Sequence, residues 1–264
     1  MNRLLLQVSL TFLLLAGVVP AHAAFRGDSP TVMITGSNRG IGLAFARHYA
    51  AEGWNVIATA RSPGRADDLK ALQKGFPQVV IEQLDVTNVS QIDALADEYR
   101  GKPIDVLINN AAVLGDLPAQ TVGGLTLDEF QKVMTVNVFG PLKVSEAFAD
   151  HVAMSDQKKI VALTSGLGSL RLMGRMSGFY YYRMSKAALN MGMLGLRTDL
   201  KERGIIVGIV APGMVNTKLL ADSGYDGKSL EPGDSAAGMA EIIAGLTVED
   251  RGKPINVDGK VIPW

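Results

Sequence analysis

The chain has 264 residues, 47% hydrophobic and 20% charged, with 29 glycines, a globular composition suited to one large α/β domain. Its 26 basic and 26 acidic residues cancel, which leaves no net field to draw nucleic acid or an anionic membrane. The absence of cysteine excludes disulfides and thiolate chemistry, and three scattered histidines (His22, His48, His151) make a poor zinc cluster, so no metal is expected.

The first 23 residues stand apart. Arg3 gives a short positive region, residues 4–19 are mostly apolar, Pro20 breaks the run, and Ala21-His22-Ala23 sets a small-x-small pattern before Ala24. That is the form of a secretory signal peptide, and it is short for a membrane span. Residues 1–23 are therefore assigned to targeting and 24–264 to the working domain. The expected location is exported or periplasmic if the signal is genuine, and cytoplasmic otherwise.

From Thr31 the chain alternates strand and helix. TVMITG (31–36) reads as a short apolar strand, and SNRGIGLAFARHYAAEG follows as a glycine-rich turn into a helix. Gly36, Gly40 and Gly42 permit a tight turn and let backbone N–H groups meet a pyrophosphate at the helix N-terminus. Ile41, Ala44 and Phe45 are the expected inward face of that helix. Ser37 is either a hydroxyl donor to the ligand or a turn residue satisfying its own backbone.

The next strand, 55–61, ends at Ala60 and Arg61, with Arg39 already in the glycine turn. An NAD site would place a carboxylate there for the ribose 2′-hydroxyl. Two guanidinium groups and no carboxylate suit a 2′-phosphate instead, so the expected cofactor is NADP, with NAD the poorer fit.

Helix 65–75 and strand 79–84 come next, with Asp85 at the strand's carboxyl end, where an adenine amino group could be met. A short helix spans 90–99, and strand 105–111 ends in Asn109-Asn110-Ala111 against the expected cofactor. A long helix starts at Thr126, whose TLDE reads as a capping box, passes through Asn137 and is expected to bend at Pro141. Strand 159–165, a loop rich in Gly, Met and Arg, a helix carrying Tyr182, and strand 205–213 follow. Segment 214–230 is loosely patterned; helix 232–246 and a last strand, PINVDG, close the chain. The pattern predicts a single doubly wound Rossmann-type domain, a central parallel sheet of about seven strands flanked by helices.

Tyr182 and Lys186 are one helical turn apart on one face, so a phenol and an ammonium share a small volume. A cation held nearby favours phenolate and should lower the Tyr182 pKa towards neutrality. Alone, the pair proves little, since surface helices often carry it.

In company it says more. TGSNRGIG, LDVT, NNAA, VNVFG, LTS, YRMSK and PGMVNT occur in the order found in the classical short-chain dehydrogenase/reductase family, which residues 30–264 resemble. The NRGIG turn, the stretched loop before Tyr182 and the closing DGKVIPW are similar to the C-factor and sniffer-like carbonyl reductase branch.

The resemblance implies a catalytic set of Asn137, Ser165, Tyr182 and Lys186, with Asn137 supporting the lysine through water. It implies a cofactor turn of Thr35, Gly36, Ser37, Asn38, Arg39, Gly40, Ile41 and Gly42, with Arg61, Asp85, Val86, Asn109 and Ala111 beyond it. Ala112 stands where the NNAG motif has its glycine. Pro212, Gly213, Val215 and Thr217 match the element beside the nicotinamide amide, and Tyr182 and Lys186 also touch the cofactor.

The implied activity is NADPH-dependent hydride transfer to a carbonyl, or the reverse from an alcohol, on an uncharged aldehyde, ketone or quinone. The alternative is an exported, C-factor-like dinucleotide-binding signalling or structural protein with little turnover. Substrate contacts are expected from loops 113–125, 166–179 and 214–229, with Leu170, Leu172, Met173 and Met176 lining a pocket and Arg171 and Arg175 facing solvent or an acidic substrate group. Apolar residues beyond one face of the helices at 126–150 and 180–203 (Met134, Val138, Phe139, Met191, Met193, Leu194) suggest a homodimer, the pairing usual in the family.

Overall fold

A computed structural model describes residues 25–174, 177–250 and 252–263. The signal-like stretch, Arg175 and Met176 lie outside these residues. Strands β1 (Thr31–Ile34), β2 (Asn55–Ala60), β3 (Val79–Gln83), β4 (Val106–Asn109), β5 (Lys159–Leu163), β6 (Ile206–Ala211) and β7 (Ile255–Asn256) form one sheet. The pairings between these strands are all parallel and the order is β3-β2-β1-β4-β5-β6-β7.

The sheet separates two cores because side chains alternate along each strand. Val32 and Ile34 of β1 face one core, with Val106 and Ile108 of β4 and Val161 of β5. Met33, Leu107 and Ile160 face the other. Helices α1 (Gly40–Ala51), α2 (Asp67–Gly75) and α9 (Pro232–Gly245) feed the first core through Phe45, Ala46, Leu69 and Met239. Of the face expected on α1, Phe45 is fully buried, whereas Ile41 and Ala44 are only partly covered at the core's edge. The second core takes Ile92 from α3 (Val89–Glu98), Val144 from α5 (Gly140–Ala147), Val152 from α6 (Ala149–Ala153), and Leu189 and Met193 from α7 (Tyr180–Leu200).

The long helix expected from Thr126 is built differently. Helix α4 (Leu127–Met134) is followed by a π-helical segment, Thr135–Phe139, before α5. Pro141 has no amide to offer Asn137 O, so regular i→i−4 pairing must fail just upstream of it. The irregularity therefore sits at Asn137 rather than at the proline itself. The capping box is also absent: Thr126 makes no side-chain cap bond. Glu129 is diverted to Asp116 N–H, 2.7 Å from Oε1, and to Lys132.

The strand order reverses between β1 and β4. Ligands of open α/β sheets bind at such a switch point, outside the carboxyl ends of the strands. Those ends carry the glycine turn after β1 and Asn109 on β4. Helix α8 (Lys218–Asp222) stands in the segment after β6, whose base is closed by a bridge between Val215 and Leu230.

Candidate active site

The glycine turn is as tight as its sequence demands. Gly36 and Gly40 adopt φ of 69° and 55°, a region that side chains rarely enter. Gly42 serves close approach: a Cβ there would fall 2.3 Å from Gly36 O and 2.6 Å from Asn110 Nδ2. Ser37 is fully buried and its hydroxyl donates to Ile34 O at 2.8 Å, so of the two roles open to it the structure shows the turn.

Thr35 ties this turn to the end of β4. Its Oγ1 accepts from Asn110 N and Ala111 N, both at 3.0 Å. Asn110 returns its amide to Thr35 O and Gly36 O at 2.8 and 3.1 Å. Asn110 was visible in the motif, yet its role as the clasp between β1 and β4 depends on pairing that only the sheet reveals. Asn109 donates to Ser145 Oγ at 3.0 Å and keeps a buried, unpartnered Oδ1.

Arg39 and Arg61 are exposed at the tips of the turn and of β2, and both stay outside every ion pair among the described residues. Asp85 spends Oδ1 on Thr87 N and Oγ1, at 2.9 and 2.7 Å, and so anchors a turn; Val86 beside it is buried. A Cβ on Gly40 would meet Thr217 Cγ2 at 3.4 Å, which brings the segment after β6 to the glycine turn. In that segment Gly213 has φ 75°, Pro212 O accepts from Ser235 Oγ at 2.8 Å, and Val215 is buried. The positive-φ glycines of the turn, the orphaned Asn109 oxygen and two exposed guanidinium groups outside every ion pair among the described residues together fit a dinucleotide with a 2′-phosphate.

Beside this cradle, Ser165 stands two residues past the end of β5 and α7 begins at Tyr180. Ser165 caps the turn after β5, accepting from Leu167 N at 3.2 Å, and it hydrogen-bonds to Tyr182. Tyr182 and Lys186 are both buried, with Lys186 Nζ 5.7 Å from the centroid of the Tyr182 ring and donating to Leu163 O at 2.9 Å.

The expected lowering of the Tyr182 pKa is not seen in the protein itself. Burial pushes the phenol up to about 12, and the Ser165 hydrogen bond opposes this only in part. Lys186 is itself driven down to about 8 by burial. Desolvation outweighs the neighbouring charge because Nζ is turned to a backbone carbonyl rather than to the phenol oxygen.

Asn137 is also fully buried. Its side chain exchanges a pair of bonds with Val113, accepting from N at 2.9 Å and donating to O at 2.8 Å. Nδ2 also donates to Ser185 Oγ at 3.0 Å, and Ser185 Oγ donates to Tyr182 O at 2.7 Å. Asn137 thus reaches Tyr182 through Ser185. The sequence reading missed this link and also missed Gln120, whose Oε1 accepts from Tyr182 N at 2.9 Å. Neither contact has a local signature.

Of the loop residues expected to line a pocket, Leu170, Leu172 and Met173 are exposed, as is Met214 in the third loop, and Arg171 is exposed as well. Leu219 and Leu220 are half-buried on α8.

The comparisons with known proteins agree with this geometry. Residues 30–226 match the family model described as short chain dehydrogenase, and the chain belongs to that family of oxidoreductases. It is similar to the C-signal protein of Myxococcus xanthus, 36% identical over 61% of this chain and 93% of the relative. Among solved structures it is similar to an NADPH-bound carbonyl reductase from chicken fatty liver, 32% identical with a TM-score of 0.80, covering 89% of this chain and 99% of that one. A short-chain dehydrogenase/reductase from Burkholderia multivorans with bound NADP is 30% identical, with a TM-score of 0.78, covering 89% and 100%.

Proposed function

We propose that the chain is an NADPH-dependent carbonyl reductase acting on an uncharged aldehyde, ketone or quinone. The observation that carries this is the buried Tyr182 phenol, hydrogen-bonded to Ser165 and one helical turn from Lys186, beside a glycine cradle flanked by two free arginines. The turn from Thr35 to Gly42 would hold the pyrophosphate and Arg39 and Arg61 the 2′-phosphate. Asp85, Val86, Asn109, Ala111, Pro212, Gly213, Val215 and Thr217 would close round the remainder. NADPH, when bound, supplies hydride to the carbonyl carbon.

The protein's part is proton and charge control. Tyr182 stays protonated to about pH 12, the form needed to give a proton to a developing alkoxide. Ser165 sits within reach of the same oxygen and stabilises its charge where it appears. Lys186, charged below about pH 8 and 5.7 Å from the centroid of the Tyr182 ring, would stabilise the phenolate left when Tyr182 gives up its proton. The exposed apolar side chains of loops 166–179 and 214–229 support an uncharged substrate.

The test is a panel of aldehydes, ketones and quinones with NADPH, followed at the reduced-nicotinamide absorbance, with matched neutral and carboxylated ketones included. Turnover with higher kcat/KM for the neutral members is expected. Preference for the acids would overturn the substrate class. The likeness to C-signal supports a second reading, an exported dinucleotide-binding signalling protein; silence across the panel despite NADPH binding would favour it. Export itself, resting on residues 1–23, and a homodimer formed through α4, α5 and α7 belong to the same proposal.

A further inference from the structure

Helix α7 starts without a cap of its own. Its N-cap residue, Phe179, lies in the left-handed region at φ 57° and makes no side-chain cap bond. The first N–H groups of a helix have no partner within it, and Tyr182 N–H, third in α7, is one of them. Its acceptor comes from 62 positions upstream: Gln120 Oε1, at 2.9 Å.

Gln120 is fully buried and spends its other end on the loop after β4, with Nε2 donating to Leu114 O at 2.9 Å and Asp116 O at 3.2 Å. Between these two carbonyls stands Gly115, at φ 83°, where a Cβ would fall 2.7 Å from Gln120 Nε2. The loop thus lies directly on the amide. The carbonyl of Tyr182 is tied to the same loop by the other route, through Ser185 and Asn137 to Val113. Both polar backbone groups of Tyr182 therefore lead to residues 113–116 through two fully buried amides.

We propose that Gln120 is a positioning residue for Tyr182, a helix cap supplied across the fold by the loop after β4, so that the order of that loop and the placement of the phenol change together. The proposal rests on Tyr182 being the proton donor. Removing the amide strands the Tyr182 N–H and the Leu114 and Asp116 carbonyls, and the first turn of α7 must shift to find another acceptor. A displacement of about 1 Å at a reacting group costs on the order of 100-fold in rate.

The experiment uses the full chain with Gln120→Leu and Gln120→Glu. Steady-state kcat and KM, NADPH affinity, melting temperature and a ¹³C-tyrosine NMR titration are measured, with the Tyr182 resonance assigned through Tyr182→Phe. Gln120→Leu is expected to lower kcat about 10- to 100-fold, keep NADPH affinity within about 2-fold, and move the Tyr182 resonance and its titration. Gln120→Glu keeps the acceptor but donates to the loop only when protonated, so its rate should recover towards acid pH along a limb that wild type lacks. Should the Leu variant fail to fold, that limb decides. A kcat unchanged in either folded variant, with only the melting temperature lowered, would overturn the proposal. If wild type reduces no carbonyl at all, the NMR titration still decides: an unmoved Tyr182 resonance refutes positioning, whereas a moved one leaves it standing and the proposed function fails alone.

Discussion

At Lys186 burial works against the ammonium, holding its pKa at about 8 instead of the ordinary 10.5. Between pH 8 and 10 the unfolded chain therefore binds more protons at this residue than the folded one, so its penalty fades and stability rises with pH. Below about pH 8 both states are protonated and the penalty is complete. A shift of this size corresponds to about 3 kcal/mol, from which the bond to Leu163 O recovers about 1. Lys186→Met should therefore raise stability at pH 7 by about 2 kcal/mol, abolish turnover, and flatten the pH dependence between 8 and 10 relative to wild type. In wild type, kcat should fall as pH rises through about 8. Thermal unfolding of both proteins across that range checks the first part; a less stable Lys186→Met at pH 7 would contradict it. The sequence placed Tyr182 and Lys186 on one face because helical spacing is local. It had the sign of the Tyr182 shift wrong because burial is a property of the packed fold.

Elements show the same division. The strand before and helix after the glycine turn follow from short-range patterning, and the turn's φ values follow from residues that only glycine can replace. Thr126 and Glu129 have the right spacing for a capping box, yet Glu129 is taken by Asp116 from a loop that local patterning could not bring there. Pro141 was legible as a disruption, but the π-helical turn falls on Asn137, where the amide then reaches Val113. Gln120 gave no signal, since its partner Tyr182 is distant in sequence and near only in the fold. The tips of α1 and β2 carry the cofactor prediction. If Arg39 and Arg61 hold a 2′-phosphate, Arg61→Ala should weaken NADPH binding about 10-fold or more and leave NADH nearly unchanged, since a charge-assisted bidentate contact is lost. Fluorescence titration with both nucleotides measures the ratio, and a ratio equal to that of wild type would refute the assignment.

For the whole molecule, alternation of apolar strands and amphipathic helices was sufficient to read a doubly wound parallel sheet, and the described residues form seven strands. What that sheet leaves uncovered bears on assembly. Leu127 and Met191 are each 65% exposed and Phe139 is 46% exposed, while Met193, expected on the same surface, is core. Apolar side chains left in water on adjoining helices support the homodimer, and light scattering at micromolar concentration should give twice the chain mass; a strictly monomeric mass would rule it out. The chemistry of the molecule rests on one proton donor, Tyr182, held by one fold. Tyr182→Phe keeps the ring in the core and removes only the hydroxyl that meets Ser165. The decisive measurement is kcat for the best carbonyl of the panel, together with NADPH affinity, in this variant. Turnover is predicted to fall about 100- to 10,000-fold with NADPH affinity within about 2-fold of wild type; turnover near that of wild type would contradict the mechanism.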